Sequence, residues 1–137
     1  VNLFCLGSDQ IDDLWDEFSE HIYRLERLDR LGHLTPDDLR EELKQAKKQL
    51  WGIQIDGRVI GIAVTRIGRQ TCEVFAAAGT QTAPGQIQAL YTEIERWALS
   101  QGCIRMRIVG RRGWQRMLKG YEPTRDVILE KELDDGC

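Results

Sequence analysis

The strongest constraint in this 137-residue chain is one segment, PGQIQALYTEIERWALSQGCIRMRIVG, residues 84–110. A helix period passes directly into a strand period there. Ile87, Leu90, Tyr91, Ile94, Trp97 and Ala98 recur three or four apart, which puts them on one stripe of a helix. Pro84 suits a first helical position, where its missing N–H would have no partner anyway. Gly102 follows the stripe, as a left-handed residue closing the helix does. From Cys103 to Val109 the pattern alternates, with Ile104, Met106 and Ile108 on one face and Arg105 and Arg107 on the other. A helix that must cover a half-buried strand restricts the chain to layered α/β architectures. Beyond the strand, Gly110-Arg111-Arg112-Gly113-Trp114 reads as a basic turn into a short helix ending at Gly120-Tyr121.

The remaining elements follow in order. Val1–Leu6 reads as an opening strand, and Ser8 as the N-cap of a helix with Asp12 and Asp13 near its positive end. Its apolar stripe is Ile11, Leu14, Trp15, Phe18, Ile22, Leu25 and Leu28, broken at Gly32-His33-Leu34. Thr35-Pro36-Asp37-Asp38 opens a second helix to about Lys48. Only Leu39, Leu43 and Ala46 are apolar in it, so a surface position is expected. Leu50–Ile55 and the run Val59, Ile60, Ile62, Val64 flank an Asp56-Gly57 hairpin signal. A bend at Gly68-Arg69-Gln70 leads to a central strand, Thr71–Ala78, and a loop, Gly79–Ala83. Val127–Leu133 reads as a closing strand. One domain over residues 1–133 with a short tail at 134–137 is the expected organisation. Trp15, Trp51 and Trp97 fall in apolar patterns and are expected in the core.

Composition excludes several classes. Hydrophobic residues make up 42% and charged residues 30%, which fits a soluble globular domain and not a disordered chain. A net charge of −3 argues against a molecule built as a whole to sit on nucleic acid or an anionic membrane. No apolar run approaches the roughly 20 residues of a membrane span, and no secretory leader pattern opens the chain. Cys5, Cys72, Cys103 and Cys137 form no C-x-x-C pair, and His21 and His33 have no ligand spacing with them, so no metal is expected. Cysteines placed as small buried hydrophobes point to a reducing cytoplasm.

The order strand, helix, helix, hairpin, strand, helix, strand, short helix, strand resembles the GNAT-type N-acetyltransferases over nearly the whole chain. The segment GCIRMRIVGRRGW…GY resembles small GNAT-like proteins of tailed phages. The resemblance implies a mixed, mostly antiparallel sheet with helices on both faces, and an acetyl-CoA site around the loop before the long helix. In that family the loop carries a Q/R-x-x-G-x-G/A pattern. Here Gln81 and Gly85 are four apart instead of three, Pro84 lies inside the loop, and Ile87 falls near the second small position. Candidate cofactor contacts are then Gly85 and Gln86, Ala77 on the central strand, and Arg111 and Arg112. The family's tyrosine acid, four before the terminal Gly-aromatic pair, would fall on Arg116, which stays protonated. Tyr121 is expected to pack. Glu73 is the candidate general base, as a carboxylate on a half-buried strand.

Arg105, Arg107, Arg111, Arg112, Arg116 and Lys119 surround Trp114 with no acid among them. A protein interface, coenzyme phosphates and nucleic acid are three readings of that cluster, nucleic acid being the weakest. The bland reading is a solvated strand face, with Trp114 in the core and the charges paired to Glu130 or Glu132. Two functions follow. One is a catalytically degraded GNAT-fold protein, phage- or prophage-encoded, that needs no cofactor. It would bind a protein in a virion, in its assembly or in the host cytoplasm, through Arg105, Arg107, Trp114, Arg116 and Lys119. The alternative is an active acetyl-CoA-dependent N-acetyltransferase on an amine, with backbone N–H groups of the central strand polarising the thioester carbonyl.

Overall fold

The computed structural model describes residues 2–28, 35–79, 84–109, 120–122 and 131. Strand β1 (Asn2–Cys5) leads through a 3-10 turn at Ser8–Gln10 into helix α1 (Ile11–Leu28). Helix α2 (Pro36–Lys44), strands β2 (Gln49–Ile55), β3 (Arg58–Gly68) and β4 (Thr71–Gly79), helix α3 (Pro84–Ser100) and strand β5 (Arg105–Ile108) follow. The strands form one sheet in sequence order. The first three pairings are antiparallel, and β5 lies parallel to β4. This is the mixed, mostly antiparallel α/β architecture expected above.

Helices cover both faces of the sheet. On one side Ile11, Trp15, Phe18, Ile22 and Leu25 of α1 and Leu39 and Leu43 of α2 pack against Leu50, Ile62 and Val64. On the other, Leu90, Tyr91, Ile94 and Ala98 of α3 pack against Trp51, Ile53, Ala63, Cys72 and Val74. The period-two alternation of β2 to β4 sends successive side chains to opposite layers. Close approach fixes one of these contacts. A Cβ at Gly52 would lie 2.7 Å from Phe4 Cζ and 3.2 Å from Phe18 Cε1, so only glycine lets the edge-to-face ring pair (centroids 5.8 Å apart) sit against β2. Trp51 and Trp97 form a second edge pair at 5.4 Å, and Trp15 is buried, in line with their expected core positions.

Three expectations need correction. Helix α2 stops at Lys44, not Lys48, because Ala46 turns left-handed (φ 59°). Ala46 N–H then reaches the Leu43 carbonyl and Lys47 N–H the Glu42 carbonyl, closing the helix end. Helix α2 does lie at the surface, docked through Leu39 and Leu43, which are almost fully buried. Two well-placed leucines suffice to dock a nine-residue helix. Ser8 does not cap α1. Gly7 occupies the cap of the preceding turn, and Gln10 Oε1 accepts its N–H at 2.9 Å. Strand β5 is shorter than Cys103–Val109, and Ile104 is 74% exposed. Gly102 (φ 86°) closes α3, with Cys103 N–H bonded to the Ala98 carbonyl at 3.0 Å, which turns Cys103 inward and Ile104 out. Met106 and Ile108 then face α3, as the alternation requires. The closing strand expected at 127–133 and the short helix after Trp114 lie outside the described residues.

Candidate functional site

Strand β4, helix α3 and strand β5 form a parallel crossover unit, and such units place ligands at the carboxyl ends of their strands. Among the described residues strand β5 pairs with Thr71–Val74 alone, and the last contact is Val109 N–H to the Val74 carbonyl at 2.9 Å. From Phe75 to Gly79, β4 has no strand on that side among the described residues. A bulge marks the point of parting. Thr65 pairs with Val74 and Val64 with Ala76, leaving Phe75 as the extra residue. Val74 faces α3, whereas Phe75 and Ala76 both pack toward α1 and α2. A bulge re-aims side chains and ends regular pairing in this way.

The N-terminus of α3 follows from the end of this free edge. Its first turn contains no acid, whereas α1 opens with Asp12 and Asp13 and α2 with Asp37 and Asp38. Helix N-termini carry unpaired N–H groups and a partial positive charge, and an acidic side chain there satisfies part of both. In α3 no acid of the first turn plays that part. Gly85 is exposed, and a Cβ on it would meet nothing within 4 Å. Gly85 and Gln86 thus stand at an open, anion-tolerant helix end, and Ala77 lies on the free stretch of β4. Arg111, Arg112, Trp114, Arg116 and Lys119 lie outside the described residues, as do Gln81 and the acids expected to pair with the basic cluster.

Glu73 sits two residues before the bulge, on the face of β4 opposite Cys72 and Val74 and therefore on the α1/α2 side. Its Oε1 accepts from Arg66 Nη2 at 2.7 Å and Nε at 3.1 Å, and its Oε2 lies 3.8 Å from Arg107 Nη1. Both oxygens therefore face guanidinium groups. Arg66, Glu73 and Arg107 are direct cross-strand partners, a row across β3, β4 and β5. They border a cleft of about 120 Å³ together with Ile67, Gly68 and Thr71. Above them, the Phe75 ring is flanked by Lys48 Nζ at 4.6 Å and the Arg66 guanidinium at 5.5 Å. A larger groove, about 460 Å³, lies at the opposite sheet edge between β1 and α1.

Tyr121 packs against α3, as expected. Its hydroxyl donates to Glu95 Oε1 at 2.9 Å. Burial, followed by the Glu95 bond, pushes its ionisation far above the ordinary phenol value. Sequence reasoning missed Arg66 and Phe75. Arg66 could have been found, because a two-residue turn at Arg69-Gln70 fixes the register 68–71, 67–72, 66–73 and sets Arg66 opposite Glu73. A single inserted residue such as Phe75 leaves no mark in an apolar run.

No family model matches this sequence, and no curated protein matches it. Solved structures do. An aminoglycoside acetyltransferase from an uncultured soil metagenomic sample, in complex with sisomicin, superposes with a TM-score of 0.75 at 10% identity, covering 97% of this chain and 96% of that one. The aminoglycoside N-acetyltransferase AAC(6')-Iy in complex with CoA gives 0.71 at 16% identity over 97% and 100%. A ribosomal-protein-alanine N-acetyltransferase from Brucella melitensis biovar Abortus 2308 gives 0.67 at 14% identity over 95% and 100%. The fold is that of the GNAT acetyltransferases. At these identities the likeness concerns the fold.

Proposed function

We propose that this protein is an acetyl-CoA-dependent N-acetyltransferase. The observation that carries the reading is the parting of β4 from β5 beside an α3 N-terminus free of first-turn acids. Full-length likeness to acetyltransferases, one of them bound to CoA, supports it. The residues present fit the coenzyme. Main-chain N–H groups at Gly85 and Gln86 would hold its pyrophosphate, and the free edge of β4 around Ala77 would hold the extended pantetheine arm by strand-like hydrogen bonds. When bound, acetyl-CoA would supply an acetyl group as a thioester, and transfer to a neutral amine would form a C–N bond and break the C–S bond, with the amine's proton passing to the departing thiolate, which leaves as the free thiol.

The chain's own contribution is positioning and polarisation. Main-chain N–H groups of Phe75–Gly79 that point away from β3 have no strand partner among the described residues and would be fixed donors for a carbonyl oxygen that gains charge. Helix α3 closes one face of the sheet, so an amine reaches the parting from the α1/α2 side, past Phe75. Glu73 stands on that side, but its pairing with Arg66 and Arg107 favours a positioning role over that of a general base. The phage-borne, protein-binding reading has no observation in the described residues that favours it, because Trp114, Arg116 and Lys119 lie outside them. Thiol release from acetyl-CoA in the presence of a broad amine panel tests the proposal. Amine-dependent release is expected, and its absence across the panel, with acetyl-CoA left intact, would defeat it.

A further inference from the structure

The acceptor side of the parting carries a charge pattern that selects among amines. Arg66, Glu73 and Arg107 form one cross-strand row, and Gly68, Thr71 and Arg105 form the next, on the same face of the sheet. Glu73 is the one acid in these six residues, against three arginines. It is largely buried, with its side chain 14% exposed, while the guanidinium groups of Arg66 and Arg107 are about half exposed. Glu73 engages Arg66 by two hydrogen bonds. Arg107 stands 3.8 Å away without a hydrogen bond and makes no other among the described residues, so within them its planar fork of donors is not committed. Arg105 has no ion-pair partner among the described residues. Gly68 adds no side chain to the floor of the cleft, since a Cβ there would meet nothing within 4 Å, and Thr71 lines it with a hydroxyl.

We infer that this cleft receives an anionic group, a carboxylate or a phosphate, carried by the acceptor amine itself. The inference rests on the acetyltransferase reading of the neighbouring site. Glu73 acts here as a positioning residue that holds Arg66 and leaves Arg107 poised. Spacing along the strand sets the length of the acceptor. The parting begins at Phe75, two residues from Glu73, which at about 3.3 Å per residue is about 7 Å. An acceptor whose amine and anion lie about that far apart spans the two sites. Polycationic amines place charge against Arg66, Arg107 and Lys48 and are disfavoured.

The test compares 6-aminohexanoate with 6-aminohexan-1-ol, which differ only in the terminal anion, and adds 3-aminopropyl phosphate and spermidine. Thiol release gives kcat/KM for each. The carboxylate or the phosphate ester is expected to exceed the alcohol by at least about ten-fold, the scale of one hydrogen bond to a charged group. The two anions, compared with each other, identify which is preferred. Arg107→Gln is expected to narrow the anion-to-alcohol ratio to about three-fold or less, while Arg96→Gln, on the exposed side of α3, leaves the ratio as in the parent. Equal use of acid and alcohol, or preference for spermidine, overturns the inference. If no amine releases thiol, the acetyltransferase reading has failed, and calorimetry of the same pair decides the cleft. Binding of 6-aminohexanoate that Arg107→Gln abolishes supports an anion site, and equal binding of both compounds overturns it.

Discussion

The Tyr121 hydroxyl donates a 2.9 Å hydrogen bond to Glu95 across 26 residues of sequence. It ties the chain beyond β5 back onto the middle of α3, in the same cluster as Tyr91 and Ile94. A hydrogen bond to a carboxylate contributes about 1.5–3 kcal/mol. Tyr121→Phe should lower stability by about 1–2 kcal/mol, and Glu95→Gln by less, because a neutral amide oxygen still accepts. A double-mutant cycle by chemical denaturation should show coupling. Additive effects would mean that the bond contributes nothing.

Buried groups that ionise only at high pH set the alkaline limit. Burial, then the neighbouring Cys103 and Glu73, pushes the Cys72 thiol from 9.0 up to about 12. Burial pushes Tyr91 well above 10.0, and burial and Glu95 push Tyr121 higher still. In each case the folded value is raised. Their contribution is complete below about pH 9 and is lost as pH rises toward the folded values, because the unfolded chain releases protons that the native state keeps. Denaturation midpoints should hold steady from pH 7 to 8.5 and fall steeply between 9 and 11. Tyr121→Phe should flatten the upper part of that fall.

A polar network inside the α3 layer should be costly to break. Trp51 Nε1–H donates to Thr65 Oγ1 at 3.0 Å, and the Thr65 hydroxyl donates to Gln49 Oε1 at 2.9 Å, with Thr65 fully buried. Thr65→Val keeps the shape but leaves the indole N–H unpaired in the core. A loss of about 1–3 kcal/mol in unfolding free energy is expected, and a loss below about 0.5 kcal/mol would show the network to be incidental.

Two strained turns should be improvable. Arg69 (φ 52°) and Gln70 (φ 60°) form a two-residue hairpin turn with both residues left-handed, and the Gln70 carbonyl accepts Ile104 N–H at 2.8 Å to seat the start of β5. Such turns favour Asn-Gly. Changing Arg69→Asn with Gln70→Gly should add about 1 kcal/mol, seen as a higher unfolding midpoint. Ala46→Gly at the end of α2 should add a smaller amount, because the left-handed strain it removes is partly offset by glycine's freedom in the unfolded chain.

The architecture is legible in the sequence wherever a single period runs long enough. The α1 and α3 stripes, the hairpins at Asp56-Gly57 and Arg69-Gln70, and the Gly102 stop all appear at their read positions. The failures have local causes. The end of α2 depends on an alanine adopting a left-handed conformation, which composition does not announce. Ile104 lies outside the strand because the α3 closure turns Cys103 inward. The site was harder to read than the fold. Gly85, Gln86 and Ala77 could be proposed from their position in a known order of elements. Arg66 opposite Glu73 follows from the Arg69-Gln70 turn, but Arg107 joins the row only through the parallel register of β5, which no turn fixes, and the Phe75 bulge shifts the pairing beyond Val74.

An acid introduced at Gly85 separates folding from binding. Gly85→Glu adds a side chain into open space, removes a helical glycine, and places negative charge at the positive end of α3. Stability should rise by about 1 kcal/mol. Coenzyme affinity should fall by at least about ten-fold, since the same carboxylate opposes a pyrophosphate. A variant that is more stable and binds as before would remove the α3 N-terminus from the coenzyme site.

The most direct test of the account is thermal unfolding of the protein with and without acetyl-CoA. At about a hundred times the dissociation constant, binding adds roughly 2.7 kcal/mol. For a domain of this size that should raise the midpoint by about 8 °C or more. A shift of that order that saturates with concentration is the predicted result. An unchanged midpoint up to millimolar acetyl-CoA would contradict the claim that the parted strands and the acid-free helix end form a coenzyme site.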